Sequence, residues 1–383
     1  MPENAREKLE VALGAIDRHD GAINAMVTVT ADQAREAADA ADRAAGEGRW
    51  LGLLHGMTMG IKDNIQTAGV RTTSGSLHFK DVVPNQDAFV VQRLRAAGAV
   101  IVGKATMHEL AFGIRSYNPV SGQCHNPWDQ SRIPGGSSGG SGAVVAAGMA
   151  QGALGSDTGG SVRLPAAMNG IAGLRPTHGR VPNHGSTPVS ASYDTIGPMA
   201  RRVGDLARIL AVTAHGEPGA APTAAPDLGN FLPTLNDGVA GLRIGLPLNH
   251  YFLDCDDDIA AAAMTAVRTL EAQGARIVEV DVEGAEATHQ WATIQIYADA
   301  CAFHAERLDR NPELFSPPVL DRMLVGRSFT AVDYANACRA REAWQRNLAT
   351  LYQDIDILAS PTTPAPPPPI EEDKSLLEAT RDA

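Results

Sequence analysis

Two glycine-rich segments of this 383-residue chain each contain a serine that could serve as an oxygen nucleophile. Ser137 lies in GGSSGGSGA and Ser161 lies in GSDTGGSVR. Residues 135–139 also fit the GxSxG pattern of a nucleophile elbow, which needs a preceding strand and a downstream acid and histidine. The preceding residues, NPWDQSRIP, are not strand-like, and neither His178 nor His184 has an informative context. Histidine is therefore disfavoured as the base that activates a serine.

A phosphate-binding loop is a second interpretation of the glycines. GAVIVGKA at residues 98–105 has the GxxxxGK spacing. It lacks the Ser or Thr that should follow the lysine to hold magnesium, and its middle residues are β-branched, as in the core of a strand. The segment is therefore predicted to be a buried strand, with Lys104 as a strand-end lysine.

A third interpretation joins the two serines to Lys62, which lies in MGIKDN. Ser161 follows Ser137 by 24 residues, and the surrounding text includes, in order, GKATMHELAFG, NPWDQSRIPGGSSGGS, ALGSDTGGSVRLPAA, GLRPTHGRVP and DTIGPMAR. This sequence resembles the amidase signature family, with closely spaced matching motifs over residues 50 to 215 and a looser resemblance elsewhere. The resemblance implies a Ser–Ser–Lys triad in which Ser161 is the nucleophile, Ser137 passes protons and Lys62 is the base.

The proposed base is one of only five lysines, against 32 basic residues in total. A free lysine titrates near pH 10.4, so Lys62 can accept a proton only if its pKa is lowered by several units. Burial beside apolar residues such as Met59 and Ile61 would have this effect. Arginine could not replace it, because a guanidinium stays protonated above about pH 12.

The glycines before Ser161 suggest how the reaction would be stabilised. The backbone N–H groups of Thr158, Gly159 and Gly160 are expected to form the oxyanion hole, because glycine accepts backbone angles that turn such groups toward one point. The resemblance also implies a cis peptide bond between Gly136 and Ser137.

Three further residues are expected to support the site: Ser138, Asp157 and Arg163. Asp157 is expected to accept N–H groups of the turn, and Arg163 to pair with an acid or carbonyl. The substrate pocket is expected along residues 111–117 and the loop around residues 184–193. The candidate pocket residues are Ala111, Phe112, Ile114 and Tyr117, which favour an apolar or aryl acyl group.

Composition excludes several other functions. A net charge of −12 without a Lys/Arg cluster argues against nucleic acid and anionic membrane as partners. Four widely spaced cysteines give no disulfide framework or zinc site, and no motif indicates a metal or any other cofactor. No apolar signal segment or 18-residue apolar run appears, so a soluble, cytoplasmic protein is expected. A homodimer is left open as an assembly.

Alternating strand and helix patterns predict an α/β fold, a mixed twisted central sheet covered by helices on both faces. We expect an N-terminal helical segment (1–50), a catalytic core (51–215) and the remainder of the α/β fold with a helical cap (216–383). GEPGAAPTAAPDLG is predicted to be a surface linker, and SPTTPAPPPPI an extended segment. The resemblance implies further C-terminal strands after this segment, so the sequence as given is expected to lack them.

The expected function is hydrolysis of a small-molecule amide or carbamate by water, with anilides and aryl carbamates (urethanes) included. The alternative is a glutamine-hydrolysing subunit of a tRNA-dependent amidotransferase, which works inside a partner complex. Such subunits usually carry Gln after the Arg of the nucleophile motif, whereas this chain has Leu164 after Arg163. This departure disfavours the alternative.

Overall fold

A computed structural model describes residues 4–214 and 230–370. Its α-helices are α1 Ala5–Ile23, α2 Ala31–Gly46, α3 Phe89–Ala96, α4 Gly139–Ala146, α5 Arg163–Met168, α6 Val203–Thr213, α7 Asp257–Ala272, α8 Thr288–Arg310, α9 Pro317–Ser328 and α10 Ala331–Leu351. Its strands are β1 Met26–Val29, β2 Thr58–Lys62, β3 Val100–Ala105, β4 Tyr117–Asn118, β5 Gly122–Gln123, β6 Gly152–Asp157, β7 Ala172–Gly173, β8 Thr195–Ala200, β9 Arg243–Leu246, β10 Arg276–Glu279 and β11 Ile357–Leu358.

The chain forms two compact units. The larger contains the described residues up to Leu232, together with Phe303–Asp321 and the described residues from Pro367 onward. The smaller contains Pro233–Ala302 and Arg322–Pro366. All the candidate site residues belong to the larger unit.

The larger unit contains a six-stranded sheet with the order β1-β3-β2-β6-β8-β7. β2 runs parallel to β3 and β6, whereas β1, β7 and β8 pair antiparallel with their neighbours. The predicted mixed sheet is therefore confirmed. The strand predicted in GAVIVGKA is β3, and every residue of β2, β3 and β6 is buried.

Helices cover both faces of this sheet, because side chains alternate between the faces along each strand. Val100 and Val102 of β3 face a core shared with α1, α2 and α4, and Ile101 faces a core shared with α3 and α6. The apolar face of α1, which includes Leu9 and Ile16, packs into the first of these cores. The two helical layers confirm the predicted arrangement.

Helix α4 approaches the sheet closely because it begins with small residues. A Cβ atom at Gly140 would lie 2.7 Å from the carbonyl oxygen of Ala25, and one at Gly60 of β2 would lie 3.2 Å from the Val144 side chain. At Gly140 the neighbouring atoms belong to the backbone, so only glycine leaves room there. The close approach places the N-terminus of α4, directly after Ser138, beside the ends of β2 and β6.

The smaller unit has a parallel sheet of order β10-β9-β11. β9, α7 and β10 form a strand–helix–strand unit, and β11 lies in the segment DILAS. The linker predicted at residues 216–229 lies outside the described residues. Pro367 to Ile370, at the end of the proline run, belong to the larger unit and lie against its residues 131–133, where Ile370 N donates to Ser131 O at 2.7 Å.

Candidate active site

Lys62 is the last residue of β2, and its side chain is completely buried. It shares the face of Gly60, which points at α4, because residues two apart on a strand face the same way. Its Nζ lies 2.7 Å from Ser137 Oγ, 2.9 Å from Ser156 Oγ and 3.3 Å from Ser156 O. The residue therefore reaches one of the two candidate serines directly.

Burial lowers the pKa of Lys62 to about 7, although the negative charges of Asp157 and Asp194 act to raise it. No carboxylate of the described residues forms a salt bridge with Lys62. Near neutral pH the amine is consequently present in both the charged and the neutral form. The neutral form is able to accept a proton.

Ser137 lies between the cis Gly136–Ser137 peptide bond and the start of α4. The expected cis bond is thus confirmed. Ser137 is completely buried, and its carbonyl oxygen accepts a hydrogen bond from His108 N at 3.0 Å. A Cβ atom at Gly136 would lie 2.7 Å from the backbone of Ile114, so the close packing here requires glycine. These contacts fix Ser137 beside Lys62.

Ser161 lies on the turn between β6 and α5 and is 9% exposed. Its carbonyl oxygen accepts a hydrogen bond from Ser138 N at 3.2 Å. This bond joins the two glycine-rich segments side by side. The structure therefore brings Lys62, Ser137 and Ser161 into one region, with Ser161 nearest to solvent of the three.

Asp157, the last residue of β6, holds the turn that carries Ser161. Its carboxylate accepts hydrogen bonds from Gly160 N at 2.8 Å and Val162 N at 3.1 Å. It also forms ion pairs with Arg163 at 3.0 Å and Arg175 at 3.1 Å. Burial acts to raise the pKa of Asp157, but the hydrogen bond to Arg163 and the charges of both arginines hold it at about 2. The expected contacts of Asp157 and Arg163 are formed.

The three expected oxyanion-hole residues differ in their surroundings. The N–H group of Gly160 is already bonded to Asp157, as its positive φ of 118° allows. Gly159 is exposed, with nothing within 4 Å of a Cβ atom built there. Thr158 is nearly buried, and its hydroxyl donates to Asp194 Oδ1 at 2.5 Å. Gly159 is therefore the most accessible of the three to a ligand.

The four expected pocket residues are not equivalent. Ala111 and Phe112 are buried, and Ala111 has a positive φ of 58°. Ile114 is partly buried, and its backbone packs against Gly136. Tyr117 lies on the β4–β5 hairpin and is 44% exposed. Of the four, Ile114 thus has a direct contact with the segment that carries Ser137.

The sequence does not identify Ser156, which contacts Lys62, or Arg175, which contacts Asp157. Ser156 bonds to Lys62 and also accepts from Asn64 Nδ2 at 3.2 Å. Arg175 donates from Nη2 to Tyr193 O at 2.6 Å as well as pairing with Asp157. The only sequence signal for Ser156 was its position directly before Asp157 in GSDTGGS.

A second lysine is buried near the site. Lys104 lies one residue before the end of β3, as predicted, but is completely buried. Its Nζ is 3.6 Å from Asp63 Oδ1 and donates to Ile65 O at 2.6 Å and Thr72 Oγ1 at 2.7 Å. Asp63 Oδ2 in turn accepts from Thr73 N at 3.0 Å. This ion pair anchors the loop that follows Lys62.

Within residues 4–214 and 230–370, no group of three or more His, Cys, Asp or Glu side chains is placed to hold a metal ion. In the same described residues, no helix has the length and apolar character needed to cross a membrane.

The chain belongs to the amidase family, whose model matches residues 7–382. A glutamyl-tRNA(Gln) amidotransferase subunit of Anaeromyxobacter sp. (strain K) is 36% identical over 386 residues, covering 94% of this chain and 78% of that protein. A second match is a chain in a solved, inhibitor-bound structure described as a vestigial protein complex that reveals the evolutionary origins of an s-triazine catabolic enzyme. That chain superposes with a TM-score of 0.91 at 36% identity, covering 96% of this chain and 80% of that chain. An amidase crystal structure superposes with a TM-score of 0.85 at 33% identity, with the same coverage. The chain is therefore an amidase-type hydrolase of carbon–nitrogen bonds.

Proposed function

We propose that this protein hydrolyses a small-molecule amide through an acyl-enzyme on Ser161, with Ser137 and Lys62 as the proton relay. The observation that carries the proposal is the distance of 2.7 Å between Nζ of the buried Lys62 and Ser137 Oγ. A lysine with a pKa of about 7 matches what general-base catalysis near neutral pH requires.

The first half of the reaction forms an ester. Ser161 Oγ attacks the carbonyl carbon while its proton passes to Ser137, and the proton of Ser137 passes to Lys62. The tetrahedral intermediate then collapses, the C–N bond breaks, and the relay returns a proton to the leaving nitrogen. This gives a free amine and an acyl group on Ser161.

The second half uses water. A water molecule loses a proton to the same relay and attacks the acyl carbon, and the bond to Ser161 Oγ breaks. The proton returns to Ser161, and the carboxylic acid is released. A carbamate has the same planar carbonyl. Breaking its C–N bond would release the amine and leave an alkoxycarbonyl or aryloxycarbonyl group on Ser161, which water would release as a carbonic acid half-ester.

The developing oxyanion is stabilised by backbone N–H groups of the turn before Ser161. Among Thr158, Gly159 and Gly160, the exposed Gly159 is best placed for this role, because the Gly160 N–H is engaged by Asp157. Loss of one such donor typically costs about 3 kcal/mol of transition-state stabilisation.

The proposed acyl pocket lies along Ala111, Phe112 and Ile114, with Tyr117 farther out on its hairpin. Their apolar side chains favour aliphatic or aryl acyl groups over charged ones. The substrate classes proposed are aliphatic amides, anilides and aryl carbamates.

The test is a panel of these three substrate classes plus glutamine, with release of the amine as the readout. Ser161→Ala should abolish turnover and the covalent acyl adduct detected by intact-protein mass spectrometry. Ser141→Ala is the matched control, because the Ser141 hydroxyl is also buried in the glycine-rich segment but bonds to Leu154 O at 3.0 Å. A Ser161→Ala protein with the full rate would remove Ser161 from the role of nucleophile.

A second candidate is a glutamine-hydrolysing component of an amidotransferase complex. It is favoured by the 36% identity to the glutamyl-tRNA(Gln) amidotransferase protein of Anaeromyxobacter over 94% of this chain. Leu164, where such proteins usually have glutamine, speaks against it. Turnover of simple amides by the isolated chain supports the first candidate, whereas glutamine hydrolysis only in the presence of partner proteins supports the second.

A further inference from the structure

Within the described residues, two of the three hydrogen-bond partners of Lys62 Nζ belong to one residue, Ser156. Nζ lies 2.9 Å from its hydroxyl oxygen and 3.3 Å from its carbonyl oxygen, and the third partner is Ser137 Oγ at 2.7 Å. Ser156 is buried in β6, which pairs with the strand that carries Lys62. A carbonyl oxygen can only accept hydrogen bonds, so at least one N–H of Lys62 is directed at Ser156.

We propose that Ser156 is a positioning residue that orients the neutral amine of Lys62 for proton transfer, an inference that rests on the function proposed above. A neutral amine has two N–H groups and one lone pair. When its two N–H groups donate to the carbonyl and hydroxyl oxygens of Ser156, the lone pair faces the remaining partner, Ser137. The proton of Ser137 then has an acceptor already aligned with it.

Ser156 is itself held in place. Its hydroxyl oxygen accepts from Asn64 Nδ2 at 3.2 Å as well as from Lys62. A hydroxyl has two acceptor positions, so these two donors fill both. On the backbone, Ser156 N donates to Ser138 Oγ at 3.2 Å, and Ser138 Oγ donates to Ser156 O at 3.1 Å. The two oxygens that face Lys62 are thus fixed before any substrate binds.

The test compares Ser156→Ala with Ser156→Thr, which keeps the hydroxyl. Ser156→Ala should lower kcat on the order of tenfold to a hundredfold, because the base is misoriented, and leave KM unchanged. In the pH profile of kcat for Ser156→Ala, the acidic limb should move to lower pH by about one unit. The charged form of Lys62 loses a hydrogen-bond acceptor in this variant, so the pKa of Lys62 falls. Ser156→Thr should restore most of the rate. Ser141→Ala, which removes a buried hydroxyl that bonds the same strand at Leu154 O, should keep the wild-type rate.

A direct titration of Lys62 separates this inference from the proposed function. The chain has only five lysines, so NMR of protein labelled with 13C at lysine Cε gives few resonances, and Lys62→Met identifies that of Lys62. A wild-type Lys62 that titrates near pH 10 overturns the neutral-base mechanism itself. A wild-type Lys62 that titrates near pH 7, together with an unchanged kcat in Ser156→Ala, overturns only the role of Ser156.

Two further variants separate a positioning role of Ser156 from a packing role. If Ser156→Thr stays as slow as Ser156→Ala, the loss comes from packing and the positioning role is overturned. If Ser156→Ala fails to fold, Ser156→Cys replaces it, because it preserves the side-chain size with a weak acceptor. Ser156→Cys should then show the same fall in kcat and the same acidic shift, and a wild-type profile would contradict the inference.

Discussion

Replacing Lys62 by methionine should make the protein more stable at pH 6 and less stable at pH 10. Lys62 is completely buried, and burial lowers its pKa to about 7. In the unfolded chain the same amine titrates near pH 10.4. Between these values the unfolded state binds more protons than the folded state, so the stability of the wild type rises with pH across this window.

The magnitude follows from the two pKa values. At about 1.4 kcal/mol for each factor of ten, keeping Lys62 buried costs about 4.5 kcal/mol at pH 6 and less than about 1 kcal/mol at pH 10. Methionine removes this cost but leaves the Ser137 and Ser156 hydroxyls without their lysine partner, a loss of about 1 kcal/mol for each hydrogen bond. Lys62→Met is therefore expected to be about 2 kcal/mol more stable at pH 6 and about 1–2 kcal/mol less stable at pH 10.

Urea unfolding of both proteins at several pH values, followed by circular dichroism, measures this difference. Lys80→Met is the matched control, because the Lys80 side chain is 58% exposed and its removal should give a difference that hardly changes with pH. A Lys62→Met difference that is equally independent of pH would refute the reasoning, since it would mean that Lys62 has the same pKa in the folded and unfolded states.

Two predictions concern the frame around the site. Lys104→Met should destabilise the protein by about 3–5 kcal/mol, because it leaves the buried Asp63 without its ion-pair partner. In urea unfolding, the double variant with Asp63→Asn should recover part of this loss. No recovery would contradict the ion-pair explanation. Gly140→Ala should cost about 1–3 kcal/mol, because its Cβ would lie 2.7 Å from Ala25 O. Gly204→Ala, with nothing within 4 Å, is the control, and equal Tm values for the two variants would argue against close packing of α4.

The central strands and the residues proposed as the triad have sequence signals that are local. The buried runs of β2, β3 and β6 are short, apolar and bounded by glycine or polar residues. Ser137 and Ser161 each lie in a motif with a glycine that is needed at its position, since Gly136 packs against the backbone of Ile114 and Gly160 has a positive φ of 118°. Such signals require no knowledge of distant contacts.

The contacts of Lys62 could not be predicted in the same way. Lys62 and Ser156 are far apart in sequence and meet only through the pairing of β2 with β6, in which Ile61 lies opposite Leu154. A shift of one residue in this register would turn Ser156 to the other face of the sheet. The pairing of Arg175 with Asp157 likewise depends on how the chain folds back toward β6 after α5 and β7, which no local sequence pattern specifies.

The two buried lysines show why only one of them is suited to be a base. Both are completely buried, so desolvation acts on each to favour the neutral amine. Asp63, at 3.6 Å, stabilises the charged form of Lys104 and commits that residue to an ion pair. The two carboxylates whose charges act on Lys62 have other partners. Asp157 pairs with two arginines, and Asp194 accepts hydrogen bonds from Thr158 and from backbone N–H groups. In the part of the chain that the structure describes, Lys62 therefore has hydroxyl and carbonyl oxygens as hydrogen-bond partners and no carboxylate, an environment that favours the neutral amine that the proposed mechanism requires.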